Sequence, residues 1–440
     1  MRTLAIAVHR SSPLAPAPSR RMRMASHLCK LRLAGLCLLL IYGSLAFGAV
    51  EEWSFFLLQA GIAILFLLWS IEQVLREHIE LVPNSLYFPL VGFGLWAWGL
   101  LILRPPLYRL PAVTGILGCA GFGLLFFLAV QCCRQRDAMI FSCKLLVTFG
   151  LVVSVFAIIQ GFTANGKLYW VRQPQFGGWI YGPYVNHGHY AALMLMLAPL
   201  GLLLGINPRL SRDARIFSVF AAAVMGASIF TSQSRGGMVA FVLEMLLFLL
   251  CATAGRAGHR KAGLGIGAFI LLVFAFGIWC TGSAVWQRFQ NLEDATIRLR
   301  IAKDTVHMIA ARPAAGWGLG NYQYAFPQYQ TFYTDRLVDH AHNDYLEVVA
   351  ETGIPGAFFV VLFIVLLYRA AIPAVQYWNS SLRSAAQLAA LLACTGIFFQ
   401  SLTDFNMHIP GNAAIFLFLA AVATSNHRHP PKPQDPGLKG

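Results

Sequence analysis

Long apolar runs separated by short polar segments recur along the whole chain. A helix that crosses a bilayer needs about 20 mainly apolar residues, and twelve runs approach this length. The predicted spans lie at about 33–50, 53–70, 86–103, 111–130, 139–160, 189–206, 216–233, 236–254, 263–281, 354–368, 384–402 and 411–425. Short segments of alternating hydrophobicity, the pattern of a membrane barrel, are not what the chain presents. The pattern predicts an all-α polytopic membrane protein with about twelve transmembrane helices.

Composition supports this prediction. Hydrophobic residues make up 58% of the chain and charged residues 12%, with a mean hydropathy of +0.63. A soluble domain is about 45–50% apolar and about 25% charged, so its surface could not be covered by so few charges. The formal net charge of +15 would suggest a nucleic-acid partner in a soluble protein. Here the partner is the lipid bilayer, and we expect no nucleic acid.

The distribution of the 33 Lys and Arg residues sets the orientation. With the N-terminus in the cytoplasm, 21 of them fall on cytoplasmic segments and five on short outer loops. Six more lie in the long loop at 282–353, where the positive-inside rule does not apply, and Lys144 lies within a span. The rule predicts that both termini are cytoplasmic, and we expect the bacterial inner membrane as the location.

Five segments follow from these predictions. They are a basic cytoplasmic arm at 1–32, a bundle of helices 1–9 at 33–281, a large outer loop at 282–353, transmembrane helices 10–12 at 354–425, and a disordered cytoplasmic tail at 426–440. We expect the basic arm to be disordered as well. Whether residues 1–21 belong to the true start stays open at this stage.

The outward-facing polar segments are the candidates for chemistry, because the spans themselves are apolar. They are the loop 161–188, the turn around Arg235 and the long loop 282–353. In the long loop, apolar spacing predicts an amphipathic helix that ends at Pro313, then a glycine-rich turn, and then a second helix that closes at Gly353. A partly helical periplasmic loop is therefore expected.

Several motifs in this outer material resemble one family. His342-Asn343, nine residues, Gly353, two residues and Gly356 reproduce the pattern H-[NSQ]-x9-G-x-x-[GTY] of the O-antigen ligase and polymerase superfamily. The resemblance extends to SQSRGG at 232–237, to Arg298 fifteen residues before Pro313, and to the GWGLGN that follows it. GPYVNHGHYA and DFNMHIPGN are similar to motifs of its exopolysaccharide-associated branch, although His187 departs from that pattern.

The resemblance implies a GT-C-like glycosyltransferase that acts at the periplasmic face. Such enzymes move a glycan from undecaprenyl diphosphate to an acceptor hydroxyl. Ligases use the lipid A-core as acceptor in lipopolysaccharide biosynthesis, whereas polymerases use another lipid-linked glycan. The family name and the histidine motif favour an O-antigen ligase, and an O-antigen or exopolysaccharide polymerase is the alternative.

The residue chemistry fits such a reaction. A diphosphate leaving group carries negative charge that arginine can hold bidentately at any physiological pH. Four arginines can converge from outside, and we assign Arg235 and Arg298 catalytic roles and Arg172 and Arg300 substrate binding. Arg235 could instead be an interface anchor and Arg172 a solvated loop residue, and Arg300 is expected on a different helix face from Arg298.

A histidine is the usual base near neutral pH, and His342 is the candidate for deprotonating the acceptor. His340, two positions away, is expected on a different helix face. Asn186, Asn343 and Asp404 complete the predicted substrate-binding set, although Asp404 could instead form a structural salt bridge. We expect no cofactor and no metal, because arginines can neutralise the diphosphate and no carboxylate cluster suggests a magnesium site.

A transporter for lipid-linked sugars is the competing class. Twelve helices with both ends inside is a common transporter layout, and transporters usually have mirrored halves with ionisable residues at mid-membrane. In this chain Lys144 and Glu244 are the only charges well inside spans, and no second half mirrors the first. A large structured outer loop favours a transferase.

Overall fold

A computed structural model describes residues 19–174, 178–253, 293–334 and 337–425, with isolated positions between 269 and 290. The described part is built from helices, and no strand occurs within it. The helices are α1 (Arg20–Leu45), α2 (Glu52–Arg76), α3 (Tyr87–Leu103), α4 (Arg109–Cys133), α5 (Arg136–Phe162), α6 (His187–Ile206), α7 (Arg212–Thr231), α8 (Arg235–Thr253), α9 (Glu293–Ala311), α10 (Tyr322–Ala325), α11 (Asp344–Tyr377), α12 (Leu382–Gln400) and α13 (Pro410–Ala423).

The predicted fold class is confirmed. Among the described residues, eight helices have the length and apolar composition needed to cross a membrane, and α3 and α13 are shorter apolar helices. Eleven of the twelve predicted spans coincide with a helix, and the ninth, at 263–281, lies largely outside the described residues. The chain is an all-α, multi-pass membrane protein.

The first helix begins earlier than hydropathy suggests. Ser19 caps α1 by accepting a hydrogen bond from the Met22 amide at 3.3 Å, so residues 20–32 are helical. The expectation that the basic arm is disordered up to residue 32 is therefore wrong for this part, because a capped polar turn continues directly into the apolar span. Residues 1–18 and the predicted tail at 426–440 lie outside the described residues.

The centre of the bundle is α6, in which every residue from Gly188 to Gly205 is buried. It packs between α7 and α12, and α13 is buried along almost its whole length beside them. A helix that is apolar on all sides fits this position, because its surroundings are other helices and not lipid. The N-terminal ends of α6 and α13 and the C-terminal end of α12 meet at one end of the bundle, where the polar segments lie.

The outer loop has a small core of its own. Buried side chains from α9, from the turn that follows it and from α11 form this core, which contains Ile301, Met308, Trp317, Tyr322, Ala325, Phe326, Val338, Ala341 and Ala350. The Trp317 and Gly318 amides donate to the carbonyls of Ala350 and Glu351 at 2.9 and 2.8 Å. The predicted amphipathic helix before Pro313 is present as α9. The loop is thus a folded element.

The second predicted helix of the loop is interrupted at Gly353, where it was expected to close. Gly353 has φ 70° and ψ −176°, which breaks the helical geometry, but α11 resumes immediately and runs to Tyr377 as the next span. A side chain at Gly353 would meet the Ala314 carbonyl at 2.6 Å. This combination of φ and ψ is essentially restricted to glycine, and here it produces a kink, because the loop packs against the break and the apolar residues beyond it continue the helix.

Candidate functional site

A cavity of about 570 Å³ opens where the loop meets the end of the bundle. It is formed by the N-terminal ends of α6 and α8, one face of α9, the residues before α11 and the turn after α12. Its lining residues are Asn186, His187, Gly188, Gln233, Ser234, Arg235, Gly236, Val239, Ala240, Leu243, Asp294, Ala295, Arg298, Leu299, Ala302, Ala341, His342, Asn343, Phe399, Leu402, Thr403 and Asp404. Six of the eight predicted site residues therefore face one space.

Two arginines approach this space from different elements. Arg235 is the first residue of α8, and its guanidinium lies 3.4 Å from the Asp294 carboxylate, which is about half exposed. Arg298, on the second turn of α9, donates a hydrogen bond to the Thr403 carbonyl. That contact fixes the long side chain of Arg298 against the turn that carries Asp404. Two permanent positive charges consequently stand beside the cavity.

His342 is held in an uncommon backbone conformation at the entrance to α11. Its φ is +49°, a value that non-glycine residues seldom adopt. The next residue, Asn343, caps the helix by accepting from the Tyr345 and Leu346 amides at 3.0 Å each. The side-chain amide of Asn343 also donates to the Leu402 carbonyl at 3.0 Å. Strain of this kind persists only where surrounding contacts enforce it, and it is concentrated at functional sites.

The imidazole of His342 faces Asp404. His342 Nδ1 lies 3.9 Å from Asp404 Oδ1, and within the described part of the chain this nitrogen is buried without a hydrogen-bond partner. Asp404 is 4% exposed. Burial alone would raise the pKa of Asp404, but the neighbouring His189, His342 and Arg298 hold that pKa well below its usual range. Asp404 is therefore a carboxylate anion that faces the partly buried imidazole of His342.

The start of α6 closes the cavity on the side of Asp404. A side chain at Gly188 would meet Asp404 Oδ2 at 2.4 Å, so the absence of one lets the carboxylate approach the N-terminus of α6. Helix N-termini favour negative charge. His187 also lines the cavity; its Nδ1 lies 2.7 Å from the Ser232 carbonyl and its ring stacks on Trp179. The sequence motif gave no role to His187, and the structure adds it to the wall.

Two predicted arginines are elsewhere. Arg172 pairs with Glu51 at 2.5 Å and lies over the Phe47 ring at 4.4 Å, so it joins the loop 161–188 to the start of α2. Arg300 is exposed on α9 and does not line the cavity. Partners as distant in sequence as Arg172 and Glu51 cannot be inferred from the local pattern.

A second group of ionisable side chains lies directly behind His342. His340 Nδ1 is 2.6 Å from Glu347 Oε1, and His408 bridges Asp344 Oδ1 at 2.9 Å and Glu347 Oε1 at 3.3 Å. His340 precedes α11, so the expectation of a helix face for it is wrong. Atoms of His340, Glu347 and His408 lie within 4.8 Å of one another, a spacing that metal ligands can have. Here these atoms already bond to each other, and we interpret the group as an ion-pair network.

Comparison with known proteins bears on this geometry. Residues 220–361 match the model of a family described as O-antigen ligase, a segment that contains Arg235, Arg298 and His342. The search of curated proteins found no match. The cavity and the family match together define a multi-pass membrane protein with a polar site at one end of its bundle. This match, over about a third of the chain, supports the resemblance to the O-antigen ligase and polymerase superfamily that the motifs carry.

Proposed function

We propose that the protein is a periplasmic-face glycosyltransferase that moves a glycan from undecaprenyl diphosphate to an acceptor hydroxyl. We further propose that it is an O-antigen ligase whose acceptor is the lipid A-core. The observation that carries this proposal is the composition of the cavity wall. Arginine, histidine and aspartate side chains line one part of it, and apolar side chains line the rest.

The apolar part fits a lipid-linked donor. Val239 and Leu243 lie one and two turns into α8 from the polar end, Phe399 lies near the end of α12, and Leu299 lines the same cavity from α9. A polyprenyl chain can contact such a wall while its diphosphate stays at the polar end, which is the arrangement that an amphipathic lipid requires. Burial of apolar surface contributes about 25 cal/mol per Å², so even the first isoprenyl units would add to binding.

The arginines suit the leaving group. Arg235 and Arg298 can hold phosphate oxygens bidentately and neutralise the charge that develops as the glycosidic bond breaks. Arg235 must exchange Asp294 for the diphosphate, and the half-exposed position of Asp294 permits this. With two guanidinium groups at the diphosphate, the reaction has charge stabilisation from the chain itself.

His342 and Asp404 suit the acceptor. His342 accepts the proton of the acceptor hydroxyl, the acceptor oxygen attacks the anomeric carbon, and the bond to the diphosphate breaks with inversion at that carbon. Asp404, opposite Nδ1, stabilises the imidazolium and orients the ring so that Nε2 is available. The distance of 3.9 Å exceeds a hydrogen bond, and such contacts commonly shorten when substrate binds.

The orientation of the bundle follows from the positive-inside rule. Basic residues concentrate on the loops at the opposite end from the cavity, which supports a periplasmic position for the site and cytoplasmic positions for both termini. The same rule, with the family match, supports the inner membrane as the location. A periplasmic site would meet both a lipid-linked donor and the lipid A-core.

Gel profiling of surface polysaccharide in a deletion strain tests the proposal. Loss of lipid A-core attachment with intact lipid-linked polymer is expected for a ligase. Accumulation of single repeat units would instead establish the polymerase alternative of the same superfamily. Complementation with His342→Ala is the internal control, because it should fail for either transferase. Full complementation by that variant would overturn the transferase and favour a transporter for lipid-linked sugars.

A further inference from the structure

The ion-pair network behind His342 joins the two segments that carry His342 and Asp404. Asp344, the first residue of α11, receives hydrogen bonds from the Ser401 hydroxyl at 2.6 Å and the Met407 amide at 3.2 Å. Its own amide donates to the Ser401 carbonyl at 3.0 Å. His408 completes the set through Asp344 Oδ1 at 2.9 Å. Asp344 thereby fastens the start of α11 to both ends of the turn 401–408.

Both members of the His342–Asp404 pair are close to this fastening. His342 lies two residues before Asp344, and Asp404 lies within the turn that Asp344 bonds at each end. Phe405 adds a second contact, because its ring stacks on His340 at 4.2 Å and meets the His342 ring edge to face at 5.1 Å. A change at the Asp344–His408 contact would alter the separation and angle of the catalytic pair without touching the cavity.

We propose that the Asp344–His408 ion pair is a positioning device that sets the distance and angle between His342 and Asp404. His408 is thus a positioning residue for the transfer, and it contacts neither donor nor acceptor. The inference rests on the proposed transferase function, which gives the His342–Asp404 pair its role. It gives Asp344 and His408, which do not line the donor cavity, a role in the transfer.

The charge of His408 supports this role. Burial opposes the charge, but the Glu347 and Asp344 carboxylates, with a smaller effect of Glu351, raise the pKa of His408 to about 10. His340 faces the same Glu347 oxygen from the loop. His408 is consequently an imidazolium throughout the neutral range in which an ordinary histidine changes its charge. A positioning contact benefits from this constancy, because the geometry that it sets does not vary as a nearby base takes up and releases protons.

The test uses His408→Gln, Asp344→Asn and His408→Lys in the purified full-length protein. Glutamine and asparagine keep the approximate size but remove the charge and part of the hydrogen bonding, and we expect turnover to fall about 10- to 100-fold because a small misplacement of reacting groups has effects of this size. Binding of undecaprenyl diphosphate should not change, since neither residue lines the cavity. His408→Lys keeps a positive charge and should restore part of the turnover. His307→Gln, at an exposed position of α9, is the matched control and should behave as the unmodified protein.

The pH profile provides a readout that a purely structural role would not move. The turnover advantage of the unmodified protein over His408→Gln should be lost as pH rises through about 10, where His408 loses its proton. Loss of undecaprenyl diphosphate binding in proportion to turnover would overturn the proposal. So would wild-type turnover in His408→Gln, or a stoichiometric metal ion that elemental analysis finds in the unmodified protein and not in this variant.

The outcomes also separate this inference from the proposed function. If the unmodified protein transfers glycan and His342→Ala does not, the transferase stands and the His408 variants decide the positioning role alone. If the unmodified protein transfers nothing in the presence of donor and lipid A-core, the proposed function fails first. Thermal unfolding of every variant shows whether a loss of turnover reflects loss of the fold.

Discussion

Among the described residues, one group of charged side chains at each end of the bundle can be compared. At one end Arg32 and Arg76 close on Glu72, with nitrogen–oxygen distances of 3.1 and 2.9 Å. At the other end, one cavity is lined by His342, Arg298 and Arg235. Arg32 and Glu72 side chains are about 5% exposed, whereas those of His342 and Arg235 are 21–25% exposed.

The comparison distinguishes charged side chains that join two helices from charged side chains that can contact a substrate. In the Arg32–Glu72–Arg76 group the charges face each other, so the group joins α1 to α2. In the cavity, His342 Nδ1 is buried without a hydrogen-bond partner among the described residues, and its anionic neighbour is 3.9 Å away. Arg32 Nε and Glu72 Oε2 are also buried without a hydrogen-bond partner among the described residues, so the two groups differ in their surroundings: His342 lines an open cavity in which a substrate can add contacts, and Arg32 and Glu72 do not. The predictions that follow are ordered by the size of the effect expected.

Removing the base should have the largest effect. His342→Ala should reduce transfer about 10²- to 10⁴-fold, the usual contribution of general base catalysis, or roughly 3–5 kcal/mol of barrier. Binding of undecaprenyl diphosphate should stay nearly unchanged, because the arginines, and not His342, are proposed to hold the diphosphate. Transfer rate and donor binding are measured on the same preparation, with His307→Ala as control. Transfer at the wild-type rate would show that another group is the base.

The corresponding change at the other end should affect stability and leave the chemistry intact. Glu72→Gln leaves the buried Arg32 and the partly buried Arg76 without their carboxylate, and removing one partner of a buried ion pair typically costs about 3–5 kcal/mol. The transfer rate of the protein that remains folded should be unchanged. The control is Glu77→Gln, whose pair with Arg21 is largely exposed and is expected to contribute about 1 kcal/mol or less. Thermal unfolding in detergent separates the two variants, and equal midpoints would contradict the structural role of Glu72.

Replacing the cavity arginines by lysine should have an intermediate effect on binding. Arg235→Lys and Arg298→Lys keep the charge but lose the bidentate geometry, so donor binding and turnover should both fall about 10- to 100-fold, the range of a lost charged hydrogen bond. Arg312→Lys is the matched control, because Arg312 lies over the Trp317 ring at 3.9 Å, away from the cavity. Binding measured with undecaprenyl diphosphate that is equal in all three variants would exclude the assigned role.

The smallest effect is expected from metal removal. Since two arginines stand where the diphosphate is proposed to bind, transfer by the purified protein should be unchanged in EDTA. The measurement is turnover before and after chelation, with magnesium and manganese added back separately. A loss that either ion restores would show that Arg235 and Arg298 do not suffice.

Hydropathy and local motifs predict most of this fold and part of the site. Spans are set by apolar runs that lie within single segments, so eleven of them could be located without a structure. The shared position of Arg235, Arg298 and His342 follows from motifs, and the structure places all three at one cavity. The Asp344–His408 contact could not be predicted, because the two residues are 64 positions apart and meet only when the turn after α12 folds onto α11. Likewise, a glycine at position 353 favours a helix end in the sequence, and only the packing around Gly353 explains why α11 continues beyond it.

The helical stretch of α11 that leads from the outer loop to the kink at Gly353 has a consequence for the acceptor. Nine helical residues separate Asn343 from Gly353, a rise of about 14 Å at 1.5 Å per residue. No flexible linker lies between Asn343 and Gly353. Under the proposed orientation, this helical stretch therefore fixes the height of His342 above the bilayer. A sugar hydroxyl can then react only if its own membrane anchor presents it at this height, and acceptor choice becomes partly a matter of length. Adding or deleting residues between Asp344 and Thr352 would change that reach, and would also rotate the histidine by about 100° for each residue.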